Sequence, residues 1–108
     1  MILYGISTCD TCRKAMKALA AAGHPVRLHD VRAEPLSQAQ IAAFLGQFGD
    51  RLINRASTTW RGLSEAERQA EPAAFLATHP TLMKRPMIEV GGTLHLGFGP
   101  EVQAALLK

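Results

Sequence analysis

An apolar run from Ile2 to Ile6 ends abruptly at the polar pair Ser7-Thr8, which is the length and composition of a buried strand. The periodicity then changes. Between Asp10 and Ala22, Ala15, Met16, Leu19 and Ala22 fall on one face of a helix, and Gly23 stands where a helix C-cap belongs. Pro25 to His29 alternates again and predicts a short strand. Strand, helix and strand in succession favour a parallel, right-handed βαβ unit.

The middle of the chain is patterned for helices. Ser37 followed by Gln40 is a capping box, and Ile41, Phe44, Leu45 and Phe48 supply the apolar face behind it. Leu52 to Leu63 is polar and reads as a loop. Ser64 and Glu67 form a second capping box that opens a short helix. Pro72 suits the first turn of another, whose apolar face is Phe75 and Leu76 and which ends before Pro80. Met87–Val90 and Thr93–Leu96 are alternating runs joined by Gly91-Gly92, a strong hairpin signal. A last helix, Glu101 to Leu107, follows Gly99-Pro100. The order β-α-β, helical middle, β-β-α predicts an α/β chain with a thioredoxin-like fold and a helical insertion between its halves.

Composition narrows the class without naming a function. The 108 residues suit a single domain, 1–108, with one modest core. An apolar share of 47% and a charged share of 19% are those of an ordinary globular protein. The net charge of +3 is dispersed rather than gathered into a basic stripe, so no direct nucleic-acid partner is expected. Apolar stretches fall far short of a membrane span, and MILYGIST lacks the pattern of a secretory signal; the expected location is the cytoplasm.

Composition matters most at the cysteines. There are two, Cys9 and Cys12, both inside STCDTC. In a reducing cytosol a permanent disulfide staple is not expected, which leaves a half metal site, a redox pair, or one working thiol beside a neighbour. Zinc needs about four ligands; His24, His29, His79 and His95 are scattered, so no metal is expected. Cys9 falls at the strand-to-helix turn, where free backbone N–H groups and the helix dipole favour an anion. Arg13 and Lys14 one turn later add positive charge, and Asp10 works the other way. An ordinary thiol, pKa about 8.5, is only roughly 3% ionised at pH 7, so a lowered pKa at Cys9 changes its reactivity. Cys12 is near enough to resolve a mixed disulfide at Cys9, and equally is a small residue able to face the core.

With those features in view, YGISTCDTCRKAMKAL, LINRASTTWRGL, MKRPMIEVGG and LGFGPEV resemble, in order, the motifs of the arsenate reductase (ArsC) family. The resemblance is greatest to its YffB branch of glutathione-dependent thiol reductases and covers essentially the whole chain. It implies that Cys9 is the nucleophile and that Arg55 and Arg85 bind an oxyanion or stabilise the thiolate. It also implies that Pro86 is the proline held cis beside the catalytic cysteine. Arg61 and Trp60 are typical of the branch, and point to a substrate-facing loop or, for Trp60, a core anchor; Asn54 and Thr58 are further substrate-binding candidates. Two positions depart from the family. Phe98 stands where arsenate reductases carry a third arginine, which weakens the case for arsenate. Cys12 makes a C-x-x-C pair, as in Spx, the RNA-polymerase-binding regulator.

The expected function is therefore a cytoplasmic thiol oxidoreductase working through a Cys9 mixed disulfide. Glutathione is the reducing co-substrate, no cofactor is bound, and the substrate is a small disulfide or oxyanion. The alternatives are a redox-switched regulator that binds RNA polymerase through a Cys9–Cys12 disulfide, and arsenate reduction.

Overall fold

Strand β1, Ile2–Gly5, is an inner strand of a four-stranded sheet. The computed structural model describes residues 1–107 and divides them into two compact units, Met1–Asp30 with Arg85 onward, and Val31–Lys84. In the first unit β1 pairs in parallel with β2, Arg27–Asp30, and antiparallel with β3, Met87–Val90. β3 pairs in turn with β4, Thr93–Leu96, giving the order β2-β1-β3-β4. The inner strands β1 and β3 are the more buried, and the outer ones β2 and β4 the more exposed. With α1, Asp10–Ala21, and α6, Pro100–Leu106, this is the thioredoxin-like order that the sequence pattern predicts.

One face of this sheet forms the core of the unit. Leu3 and Ile88 meet Cys12, Ala15 and Leu19 of α1 and Leu106 of α6, all buried. The buried stripe of α1 lies one turn earlier than the sequence suggests: Cys12 faces inward, and Ala22 is exposed because the helix has already ended. The end itself is a Schellman motif, with Gly23 N–H donating to Ala20 O and His24 N–H to Leu19 O, both at 3.0 Å. Gly23 adopts φ 90°, which explains glycine there. The His24 ring then meets Leu106 O at 2.7 Å and fastens this turn to the end of α6. On the opposite face Tyr4 donates to Glu89 Oε2 (3.2 Å) and packs its ring 4.9 Å from that of His29. The hairpin turns on Gly91 and Gly92, both at positive φ, as a type I′ turn requires.

The second unit is helical. α2 (Gln38–Phe48), α4 (Glu65–Arg68) and α5 (Pro72–Thr78) begin where the sequence places them, and both capping boxes are formed, Ser37 with Gln40 and Ser64 with Glu67. α2 packs against α5. The stretch 52–63 differs from its loop expectation. Ile53 forms a bridge with Met83, Asn54 N–H donates to Leu82 O (2.8 Å) and Lys84 N–H to Leu52 O (2.7 Å). A short helix, α3 (Thr58–Arg61), follows, capped by Ser57, whose hydroxyl accepts from Trp60 N–H at 3.2 Å. These backbone groups are paired with a segment about thirty residues away, a partner that local polarity does not reveal.

Gly5 sets how closely α1 can approach the sheet. A Cβ there would collide with Cys12 Sγ and stand 3.3 Å from Cys12 Cβ and 3.2 Å from Leu3 Cδ2. Gly5→Ala is expected to cost about 1–3 kcal/mol in chemical denaturation, as overpacking of a tight core does. Combined with Cys12→Ala, most of that loss should be recovered; strict additivity of the two would show that the sulfur is not the obstacle.

Candidate functional site

The turn between β1 and α1 is fixed at two points. Cys9 N–H donates to Ile6 O (3.0 Å), closing the bend, and Ser7 N–H donates to Asp30 Oδ2 (3.0 Å) at the end of β2. The result is that Cys9 is the N-cap of α1, extended at φ −81°, ψ 122°. In that conformation a side chain lies over the unpaired N–H groups of the first helical turn. Both cysteines are free; Cys9 is half-buried and Cys12, one turn further on, is 1% exposed.

The two sulfurs are driven in opposite directions. Partial burial works against a thiolate at Cys9, but the Cys12 amide, the Cys12 thiol and the Arg85 guanidinium together outweigh it and hold the Cys9 pKa below its ordinary value. The Cys9 sulfur makes no conventional capping hydrogen bond; the field of these donors is what favours its charge. At Cys12 burial dominates, and beside an ionised Cys9 it pushes the pKa up to about 11 despite the Ile6 amide. The arrangement favours negative charge on Cys9 and a proton on Cys12. Charge on one sulfur is stabilised by its absence from the other.

The cation that acts on Cys9 is not one of the two expected nearby. Arg13 is paired with Asp10 on the surface of α1, whereas Arg85 is the arginine set against the sulfur. Arg85 precedes Pro86, the Arg85–Pro86 bond is cis, and Pro86 is fully buried. Gly97 N–H donates to Pro86 O (2.7 Å) and pins this corner to the end of β4. A mostly apolar cleft of about 380 Å³ runs beside Cys12, walled by Ile6, Ser7, Arg13, Met16, Lys17 and Leu28. Phe98 packs against the core of the same unit, so its place contributes apolar surface and no charge.

Four candidates thus gather in the first unit: Cys9, Cys12, Arg85 and Pro86. The other four belong to the second unit. Asn54 is occupied in a turn, its Oδ1 accepting from Ala56 N–H (3.2 Å). Arg55 is paired with Asp50 (2.9 Å) and lies over the Trp60 ring, 5.1 Å from its centroid. Thr58 and Arg61 are exposed on α3. Sequence reasoning missed Gly5, Asp30 and Asp50, whose parts are played through space. A glycine ending an apolar strand just before a C-x-x-C was the available signal for the first. Among the described residues no cluster of three or more His, Cys, Asp or Glu is placed to hold a metal, and no helix is long and apolar enough to cross a membrane.

Alkylation of Cys9 should follow a pH profile whose midpoint lies below that of an ordinary thiol, because the reactive form is the thiolate. Removing a group that favours the thiolate must raise that midpoint. Arg85→Gln is expected to raise it, and Cys12→Ala to raise it as well; a midpoint unmoved by both would contradict the electrostatics.

Comparison with known proteins agrees with this fold. The ArsC family model matches residues 4–106. A Haemophilus influenzae protein described only as uncharacterized is 41% identical over 109 residues, covering 95% of this chain and 96% of its own. The solved structure of a YffB protein superposes with a TM-score of 0.89 at 33% identity, covering 99% of this chain and 98% of that one. That of an arsenate reductase (ArsC) related protein from Brucella melitensis gives 0.76 at 35% identity, with coverages of 99% and 93%. The chain belongs to the ArsC family.

Proposed function

We propose that this protein is a thiol oxidoreductase of a reducing, cytoplasmic compartment that uses glutathione as its reductant. The observation that carries the reading is the opposed pair of sulfurs: an accessible Cys9 favoured as thiolate beside a buried Cys12 kept as thiol. A thiolate at a helix N-terminus is the attacking species in disulfide exchange. Membership of the ArsC family, and likeness to a protein described as arsenate reductase related, support the reductase reading.

The cycle balances as follows. Cys9 thiolate attacks one sulfur of a disulfide, a Cys9 mixed disulfide forms, and the other half leaves as thiolate. A glutathione thiolate then attacks the mixed disulfide and either frees Cys9 or leaves it glutathionylated. A second glutathione completes the exchange, so two glutathione molecules give up two electrons and become oxidised glutathione. Cys12 offers an internal route: once Cys9 is in a mixed disulfide its negative charge is gone, the Cys12 thiol loses the neighbour that opposed its ionisation, and its attack yields a Cys9–Cys12 disulfide. Arg85 holds the thiolate ready and receives the charge on the departing sulfur, and Pro86 shapes the backbone around it. The cleft beside Cys12 accepts the apolar part of a substrate. As part of the same proposal Arg55 takes an anionic group of a ligand through its guanidinium fork, with Arg61, Asn54 and Thr58 as lesser contributors. Arsenate is a poorer fit, since Phe98 brings no third cation.

The test is glutathione-dependent turnover of a model mixed disulfide together with intact mass after oxidised glutathione. Cys9→Ser should fall to background, and Cys12→Ala should retain turnover and accumulate a one-glutathione adduct. Activity surviving in Cys9→Ser would sink the reading. A wild-type protein that only loses two hydrogens, with no turnover, would favour the redox-switched regulator.

A further inference from the structure

We propose that Asp50 and Trp60 set the ligand preference of Arg55, Trp60 by positioning its guanidinium and Asp50 by disfavouring doubly charged oxyanions relative to singly charged carboxylates. The inference rests on the reading above that Arg55 receives an anion, and goes beyond it by naming what tunes that step.

The chain around Arg55 is held from both ends. Asp50 lies in the 3₁₀ turn Gly49–Leu52, where Ile53 N–H donates to Asp50 O (3.2 Å). The next residues are tied to 82–84 by the backbone pairs at Asn54 and Lys84. Ser57 caps α3 and fixes Trp60, which also stands edge-on to the buried Phe75, with ring centroids 5.3 Å apart at 88°. Two guanidiniums lie over the indole, Arg55 at 5.1 Å and Arg68 at 5.7 Å. Their donors are employed differently. Arg68 gives its N–H groups to Trp60 O (3.3 Å) and Arg61 O (3.1 Å), and serves the end of α3. Arg55 gives one N–H to Asp50 Oδ1 (2.9 Å), in a pair whose side chains are 43% and 74% exposed.

An arginine has five donors, so Arg55 is far from saturated. Its partner is already a carboxylate, the group a peptide-like thiol would offer, and an exposed single-contact pair is weak enough to yield to a two-point one. Asp50 has a second effect that does not depend on its leaving. Its negative charge repels an incoming anion, and the repulsion grows with the charge of that anion. A dianion is therefore disfavoured more than a monocarboxylate. The indole face meanwhile keeps the guanidinium plane from sweeping the solvent, at an attraction typical of such stacks.

Trp60 is the single tryptophan of the chain, so its emission reports on Arg55 directly. The full-length protein is titrated at constant ionic strength with S-methylglutathione, which cannot exchange disulfides, and separately with inorganic phosphate. Arg55→Gln should abolish both responses. Asp50→Asn should lower the dissociation constant for S-methylglutathione about two- to five-fold, the scale of an exposed ion pair, and that for phosphate by a larger factor. Glu65→Gln, which removes the same charge elsewhere on the unit, should do neither. Calorimetry with S-methylglutathione reads Trp60: Trp60→Leu weakens binding and Trp60→Phe restores part of it. Equal gains for the two ligands in Asp50→Asn, or the same gains in Glu65→Gln, would overturn the proposal. Because this is equilibrium binding without Cys9 chemistry, it can fail while turnover stands, and turnover can fail while it stands.

Discussion

The first unit's chemistry depends on the interaction between a buried Cys12 thiol and the Cys9 sulfur, which favours charge on Cys9 and opposes it on Cys12; each neighbouring residue either makes room for it or gives it a direction. Gly5 leaves the space into which the Cys12 side chain descends. Burial keeps the proton on Cys12, so the donor persists at neutral pH. The tie between Ser7 and Asp30 and the bend from Ile6 to Cys9 bring the accepting sulfur to the head of α1. Arg85 adds a cation to the groups that hold the Cys9 pKa down. A thiolate stabilised in this way is present in larger fraction at a given pH and leaves more readily, at some cost in intrinsic nucleophilicity.

That division suits a reaction in which charge moves from sulfur to sulfur. Under the proposed function, once Cys9 enters a mixed disulfide, Cys12 loses the charged neighbour that opposes its ionisation. In the proposed cycle this removes the smaller restraint on Cys12, while burial, the larger one, stays in place. The two cysteines stand one helical turn apart on a helix packed tightly over Gly5. The apolar wall beside Cys12 maintains the desolvation on which the asymmetry depends.

Local signals were legible in the sequence wherever the physics is local. The capping boxes at Ser37 and Ser64, Pro72 in a first turn, the paired glycines of the hairpin and Gly23 past the end of α1 all specify backbone geometry within a few residues, and each is found in place. The position of Cys9 at a helix start belongs to the same class. What the residues alone left open is set by partners distant in sequence. The polar stretch 52–63 gains its ladder from 82–84. The effective cation is Arg85 rather than Arg13, because Asp10 claims Arg13 first. Only the resemblance to the ArsC family pointed to Arg85 beforehand; no periodicity places a residue 76 positions away beside a thiol.

Residue-resolved titration of the two cysteine side chains, followed through their Cβ carbon shifts by NMR, tests the central claim most directly. The account expects Cys9 to titrate first, below the ordinary thiol range, and Cys12 to remain protonated until about pH 11. Cys12 ionising together with Cys9, or before it, would contradict the account.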